Sequence, residues 1–183
     1  GEARNFGRER IAEHTARYAR AREFTQIVCG LWDSWADDAF VRDKASGIFF
    51  DPAKVRPLNH RGEHFAVEGP LNVPRPPQGY PLLVQAGGSD DGRETAAMFA
   101  EAIFSPHLNI PEAKAYYDDV KGRMGKYRRD PQHCKILPGL SVICRPTQEE
   151  ADADYEYLQS LIHPIVGREM LNTMLGHKVD LTQ

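Results

Sequence analysis

Between residues 8 and 35, apolar side chains return every three or four positions. Phe24, Val28, Leu31, Trp32 and Trp35 fall on one side of a helix of period 3.6. The spacing predicts a long amphipathic helix with Phe24 on its buried stripe. His14 and Tyr18 stand four residues apart near its start and share a face. From 36 to about 80 the helical period disappears and prolines and glycines punctuate the chain. Residues 59–72 read as a short hairpin, in which Phe65 and Val67 alternate with polar neighbours between Gly62 and Gly69. An extended proline-rich run follows at 74–79. A mostly irregular stretch of about 45 residues is long for a connection and points to a binding insertion or a lid.

After residue 80 the pattern becomes regular. Residues 82–86 form a continuous apolar run closed by Gly87-Gly88, which reads as a buried strand and a tight turn. Helices are predicted over 94–101, 111–128, 147–163 and 166–175, and further strands over 102–105 and 136–144. Pro111 suits the first helical turn, where its missing N–H costs nothing. Ala113, Tyr116, Tyr117, Val120 and Met124 give that helix its apolar face. Thr147 and Glu150 have the spacing of a capping box, and Ala151, Tyr155, Leu158 and Ile162 predict a buried stripe behind it. Strand and helix alternate three times. That order implies an α/β fold with a parallel sheet, either doubly wound or a (β/α) barrel. The chain reads as one domain over 1–183 with the irregular insertion at about 36–80.

Composition narrows the function classes. The 23 basic and 26 acidic residues leave a net charge of −3, too balanced for nucleic acid or an anionic membrane as main partner. No apolar run approaches the length of a membrane span. Three cysteines without a C-x-x-C pair argue against a disulfide framework or a structural zinc site. The opening residues are polar and charged, without signal-peptide character, so a cytoplasmic location is expected.

Candidate chemistry centres on the turn Gln85-Ala86-Gly87-Gly88-Ser89-Asp90-Asp91-Gly92. Glycines let backbone approach a ligand, N–H groups at a helix start attract anions, and Ser89 adds a hydroxyl donor. The turn lacks the Walker and G-x-G-x-x-G spacings. Asp90 and Asp91 oppose an anion unless they point away or cap the helix. His14 and Tyr18 form a second candidate: Tyr18 has a donor for phosphate, and His14 can hydrogen-bond a polar ring or move a proton. His60 and His64 sit in the hairpin without the H-E-x-x-H zinc spacing, so no metal site is expected. His133 and Cys134 are sequence neighbours that point apart, which disfavours a nucleophile pair. The basic cluster Lys121, Arg123, Lys126, Arg128 and Arg129 reads as a solvated face.

Several segments taken in order resemble one family. They are Asn5-Phe6-Gly7, His14 and Tyr18 running on to Ala21, Glu23 and Phe24, and Leu31-Trp32-Asp33-Ser34-Trp35. The series continues through His60, Gly62, Phe65, Val67 and Gly69-Pro70-Leu71-Asn72, then Arg75, Pro77-Gln78-Gly79, and ends in Gln85-Ala86-Gly87, Ser89 and Gly92. The set resembles flavin-dependent monooxygenases of the bacterial-luciferase superfamily, in the branch of nitrilotriacetate monooxygenase component A and dibenzothiophene-sulfone monooxygenase.

The resemblance implies a (β/α)8 TIM barrel of which this chain holds about strands five to seven, their helices and a hairpin insertion. It implies a two-component enzyme: a separate NAD(P)H:flavin reductase supplies reduced FMN (FMNH2), and the protein uses O2 to oxygenate a small organic substrate. His14, Tyr18, Gly88 and Ser89 are then the expected FMN-binding residues, with Ser89 on the phosphate and His14 also the catalytic candidate. An eight-stranded barrel needs ~250 residues. The expectation is therefore a partial chain or a self-associating homo-oligomer. The alternative function is a truncated, non-catalytic relative that binds flavin or only self-associates. A doubly wound domain holding another phosphorylated ligand at the 87–92 turn leaves the Trp32–Trp35 and 60–72 matches unexplained.

Overall fold

The computed structural model describes residues 2–175. They fall into two compact units, Gly1–Gly139 and Leu140–Gln183.

In the first unit, helix α1 (His14–Trp32) precedes a short hairpin, β1 (His60–Arg61) and β2 (Ala66–Val67), paired antiparallel. Then β3 (Val84–Ala86), α2 (Asp90–Phe99), β4 (Ala102–Pro106), α3 (Ile110–Met124) and β5 (Lys135–Gly139) follow. The strands make a parallel sheet in the order β3-β4-β5, as the alternation predicted. Register sets the two faces. Gln85, Ile103 and Ile136 are level across the sheet on one side, and Ala86, Phe104 and Leu137 on the other. Both helices cover the Ile103 side. Ala96, Ala97 and Ala100 of α2 allow a close approach, and Tyr116, Val120 and Met124 of α3 fill the space over Ile103 and Cys134. The other face, with Val84, Phe104 and Leu137, is exposed, so β3, at the edge of the sheet and with Leu82 and Val84 uncovered, is not the buried strand that its apolar run predicts.

Several predicted boundaries move. Helix α1 spans His14–Trp32 rather than 8–35, and its buried residue is Ile27, while Phe24 is 53% exposed. The stripe is rotated: Thr15 and Arg22 turn towards α2, Glu23 and Gly30 towards the insertion, and Phe24 meets Phe65 of the hairpin. Helix α2 begins four residues earlier than predicted, because Ser89 caps it. Strand β5 ends at Gly139, before the predicted 144, and runs through Pro138. A proline is tolerated there because β5 pairs on one side only.

The basic cluster is not simply a solvated face. Arg123 reaches Asp90, Glu94 and Asp119, tying α3 to α2. Arg129 donates to the carbonyls of Ala96, Ala97 and Ala100 at the C-terminal end of α2, where the helix dipole favours a cation. Lys121 donates to the carbonyls of Pro131 and Cys134.

The insertion is organised by the end of α1. Trp35 stacks on Phe40, meets Phe50 edge-on and donates its indole N–H to Leu71. Buried Ser34 donates to Leu31 and accepts from Leu71. Trp32 stacks on Tyr80, and Arg75 donates to the Trp32 carbonyl. The Leu31-Trp32-Asp33-Ser34-Trp35 segment is thus the hub that holds the irregular loop.

In the second unit, α4 (Gln148–Ser160) and α5 (Pro164–Leu175) follow in sequence. The capping box predicted from Thr147 and Glu150 is formed in both directions. The buried stripe is not: Tyr155, Leu158 and Ile162 are exposed and α4 has no buried residue. Among the described residues of this unit no sheet lies under that face.

Candidate functional site

Strand β3 ends at Ala86, and the chain turns through Gly87-Gly88 into α2. Ser89 is extended and acts as N-cap, its Oγ accepting the Gly92 N–H at 3.2 Å. Because that oxygen serves as acceptor, the Ser89 hydroxyl proton stays available to a ligand. The turn is clamped from behind: Tyr116 donates to the Gly87 carbonyl at 3.1 Å and Arg93 Nε to the Gly88 carbonyl at 2.9 Å. A side chain added at Gly88 would meet nothing within 4 Å, so this edge of the turn is open.

The start of α1 comes to the same place. The ring of Tyr18 lies 4.8 Å from that of His14, and the Tyr18 hydroxyl rests against two glycines. A Cβ at Gly87 would stand 3.0 Å from Tyr18 Oη, and one at Gly92 would stand 3.1 Å from both Tyr18 Oη and Ser89 Oγ. The two hydroxyls are therefore within twice that distance of each other, and glycine leaves the room for their approach. Tyr18 Oη has no hydrogen-bond partner among the described residues.

The two aspartates do not confront this pair as free charges. Asp90 pairs with Arg123 at 2.6 Å. Asp91 Oδ2 accepts from Thr15 Oγ1 at 3.0 Å and from His14 Nδ1 at 3.2 Å, with Arg22 3.6 Å from its other oxygen. Burial alone would raise the Asp91 carboxyl, but the bonds from Thr15 and His14 and the charge of Arg22 outweigh it and hold it below the ordinary carboxylate range. Asp91 thus lashes together the N-termini of α1 and α2. Both helices aim the positive ends of their dipoles at one region, and two neutral donors stand beside it. Such an arrangement suits an anion that carries further polar groups.

All four residues singled out from the sequence, His14, Tyr18, Gly88 and Ser89, belong to this region. Thr15 and Arg22 carry no sequence signal, Tyr116 reads only as part of an apolar face, and Asp91 reads as opposing an anion rather than as a clamp. Their bonds join positions 29 to 77 residues apart, and no local pattern announces such pairs. His60 and His64 lie elsewhere: Glu23 accepts from His60 Nε2 and from the backbone N–H groups of His64 and Phe65, pinning the hairpin to α1. No group of three metal-binding side chains occurs among the described residues. Cys134 is fully buried, and burial pushes its thiol up, away from nucleophile chemistry. No described helix is long and apolar enough to cross a membrane.

The profile of the luciferase-like monooxygenases matches residues 1–177. The chain belongs to the luciferase-like monooxygenase family. It is 50% identical over 182 residues to nitrilotriacetate monooxygenase component A of Aminobacter aminovorans, covering 100% of this chain and 40% of that protein. It is 46% identical over 175 residues to dibenzothiophene-sulfone monooxygenase of Rhodococcus erythropolis, covering 96% and 39%. The crystal structure of a long-chain alkane monooxygenase superposes with a TM-score of 0.85 at 35% identity, over 98% of this chain and 42% of that one. The parallel sheet is accordingly a segment of the family's (β/α) barrel rather than half of a doubly wound domain. The chain spans about 40% of the length of the curated relatives it matches. A riboflavin lyase solved with a modified FMN also superposes, with a TM-score of 0.81 at 33% identity over 91% of this chain and 37% of that one.

Proposed function

We propose that this chain carries the phosphate-binding part of an FMN site in a two-component monooxygenase. Reduced FMN comes from a separate NAD(P)H:flavin reductase, and O2 and a small organic molecule are the co-substrates. The observation that carries the reading is the convergence of Tyr18 Oη and Ser89 Oγ over Gly92, at the C-terminal end of a barrel strand. The fit to FMN is chemical: a phosphate monoester wants several donors and a positive helix end, and its ribityl chain wants further polar partners.

When bound, the flavin supplies the oxygen chemistry. The Ser89 and Tyr18 hydroxyls donate to the phosphate, and Gly88 leaves the turn open to it. His14, beside Tyr18, meets the more distal polar atoms and is the residue placed to hold or move a proton. The three monooxygenases named above are named for chemically unlike compounds, so their names single out no one substrate for this chain.

The bare sheet face favours a second reading, in which a chain of this length binds flavin or self-associates without oxygenating anything. Fluorescence titration with FMN, oxidised and then anaerobically reduced, tests the site. Saturable binding weakened by Tyr18→Phe and by Ser89→Ala supports it, and binding indifferent to both changes overturns it. Product formation with a flavin reductase then eliminates the second reading.

A further inference from the structure

We propose that Asp91 is a positioning residue that fixes the tautomer of His14, so that His14 accepts a hydrogen bond from the ligand instead of donating one. The inference rests on the flavin reading only for the identity of that ligand. A carboxylate has no proton to give when ionised, and Asp91 is held ionised by Thr15, His14 and Arg22. In the 3.2 Å contact with Asp91 Oδ2, His14 Nδ1 must therefore be the donor. A neutral imidazole carries one N–H, so Nε2 is left as a bare acceptor. Nε2 has no partner among the described residues, and the His14 side chain is 47% exposed at the edge of the region that Tyr18 and Ser89 share.

A division of labour follows. A lone pair repels a phosphate dianion but welcomes an O–H or N–H donor. Tyr18 and Ser89 donate to the phosphate, whereas His14 Nε2 takes a hydroxyl proton of the same ligand, which for FMN means the ribityl chain. The Thr15 bond holds Asp91 in place but does not touch the imidazole.

Histidine 15N NMR of the ligand-free chain at about pH 8, where an ordinary imidazole is neutral, reads the tautomer directly. His14→Gln identifies the signal among the seven histidines. The expected wild-type signature is a protonated Nδ1 and an unprotonated Nε2. Asp91→Asn keeps an acceptor oxygen and retains it. Asp91→Leu shifts the proton to Nε2 and weakens FMN binding about tenfold, the loss of one hydrogen bond. Thr15→Val, which loosens the helix contact alone, leaves the signature unchanged. A wild-type His14 protonated on Nε2 overturns the proposal, and so does an unchanged signature in Asp91→Leu. If Asp91→Leu does not fold, the wild-type signature still decides. A correct signature with no FMN binding counts against the flavin reading and supports the tautomer assignment.

Discussion

In α3 the stripe of Tyr116, Val120 and Met124 is at most 1% exposed, whereas along α4 Tyr155 and Leu158 are 52% and 51% exposed. Both helices show apolar residues at helical spacing, and both have a side-chain N-cap, Asn109 in one and Thr147 in the other. The difference is the layer underneath. Helix α3 lies over Ile103 and Ile136 of the sheet, while the described part of the second unit has helices only. An amphipathic period says which face wants burial. Whether it is buried depends on what the rest of the fold provides. The same contrast runs through β4: Ile103 is 0% exposed and Phe104, the next residue, 49%. A closed (β/α) barrel fills that inner face with layers of side chains.

The largest expected effect breaks the contrast at those two neighbours. Ile103→Ala removes a side chain locked among α2 and α3 and is expected to cost about 2–5 kcal/mol. Phe104→Ala takes away the larger side chain, yet is expected to cost less than about 1 kcal/mol, because its face is uncovered. Urea unfolding of both variants checks the order. Equal losses would mean that the inner face is covered in solution, by another copy of the chain or otherwise.

The second effect sits where α2 ends. Arg129→Ala leaves the carbonyls of Ala96, Ala97 and Ala100 without their cationic donor and is expected to cost about 2 kcal/mol. Arg129→Lys recovers only part of it, since one ammonium cannot span three carbonyls as a planar fork does. Neither arginine contact was legible in sequence, where the run from Lys121 to Arg129 reads as surface charge. Reading by local pattern found the place of β3, though not its exposure, and β4, α3 and the cap of α4, because each depends on residues a few positions apart. It missed the Arg129 bonds, the Asp91 clamp and the exposure of the α4 stripe because each depends on what lies beside the element in space. The candidate site divides the same way. His14 with Tyr18 is an i, i+4 pair, and Ser89 follows a glycine turn, so both were visible. Their convergence over Gly92 exists only once α1 is docked on α2.

A third effect concerns pH and the hairpin. The hydrogen bond from His60, with those from the His64 and Phe65 backbone, lowers the Glu23 carboxyl below its ordinary 4.5 against an opposing effect of burial. Folding that lowers a carboxyl gains stability present above the unfolded value and lost as pH falls through the folded one. Amide exchange at His64 and Phe65 is therefore expected to quicken below about pH 4.5, with no matching change in β4. Glu23→Gln removes this acid limb. A limb that survives in Glu23→Gln would assign it to another carboxylate.

The smallest effect returns to the two helices. Thr147→Ala removes the hydroxyl arm of the capping box, which accepts the Glu150 N–H, with an expected cost of about 1 kcal/mol confined to α4. Leu158→Ala in the same helix is expected to change stability by no more than about 0.5 kcal/mol, because the side chain is half exposed. In α4 the cap thus outweighs the stripe. In α3 the order reverses: Asn109→Ala is a cap loss of similar size, and Met124→Ala opens a cavity in a filled core at about 2–5 kcal/mol. Backbone amide exchange resolves the two helices separately. If Leu158→Ala loosens α4 more than Thr147→Ala does, the α4 stripe is buried in solution, and the contrast between the helices lies in their neighbours alone.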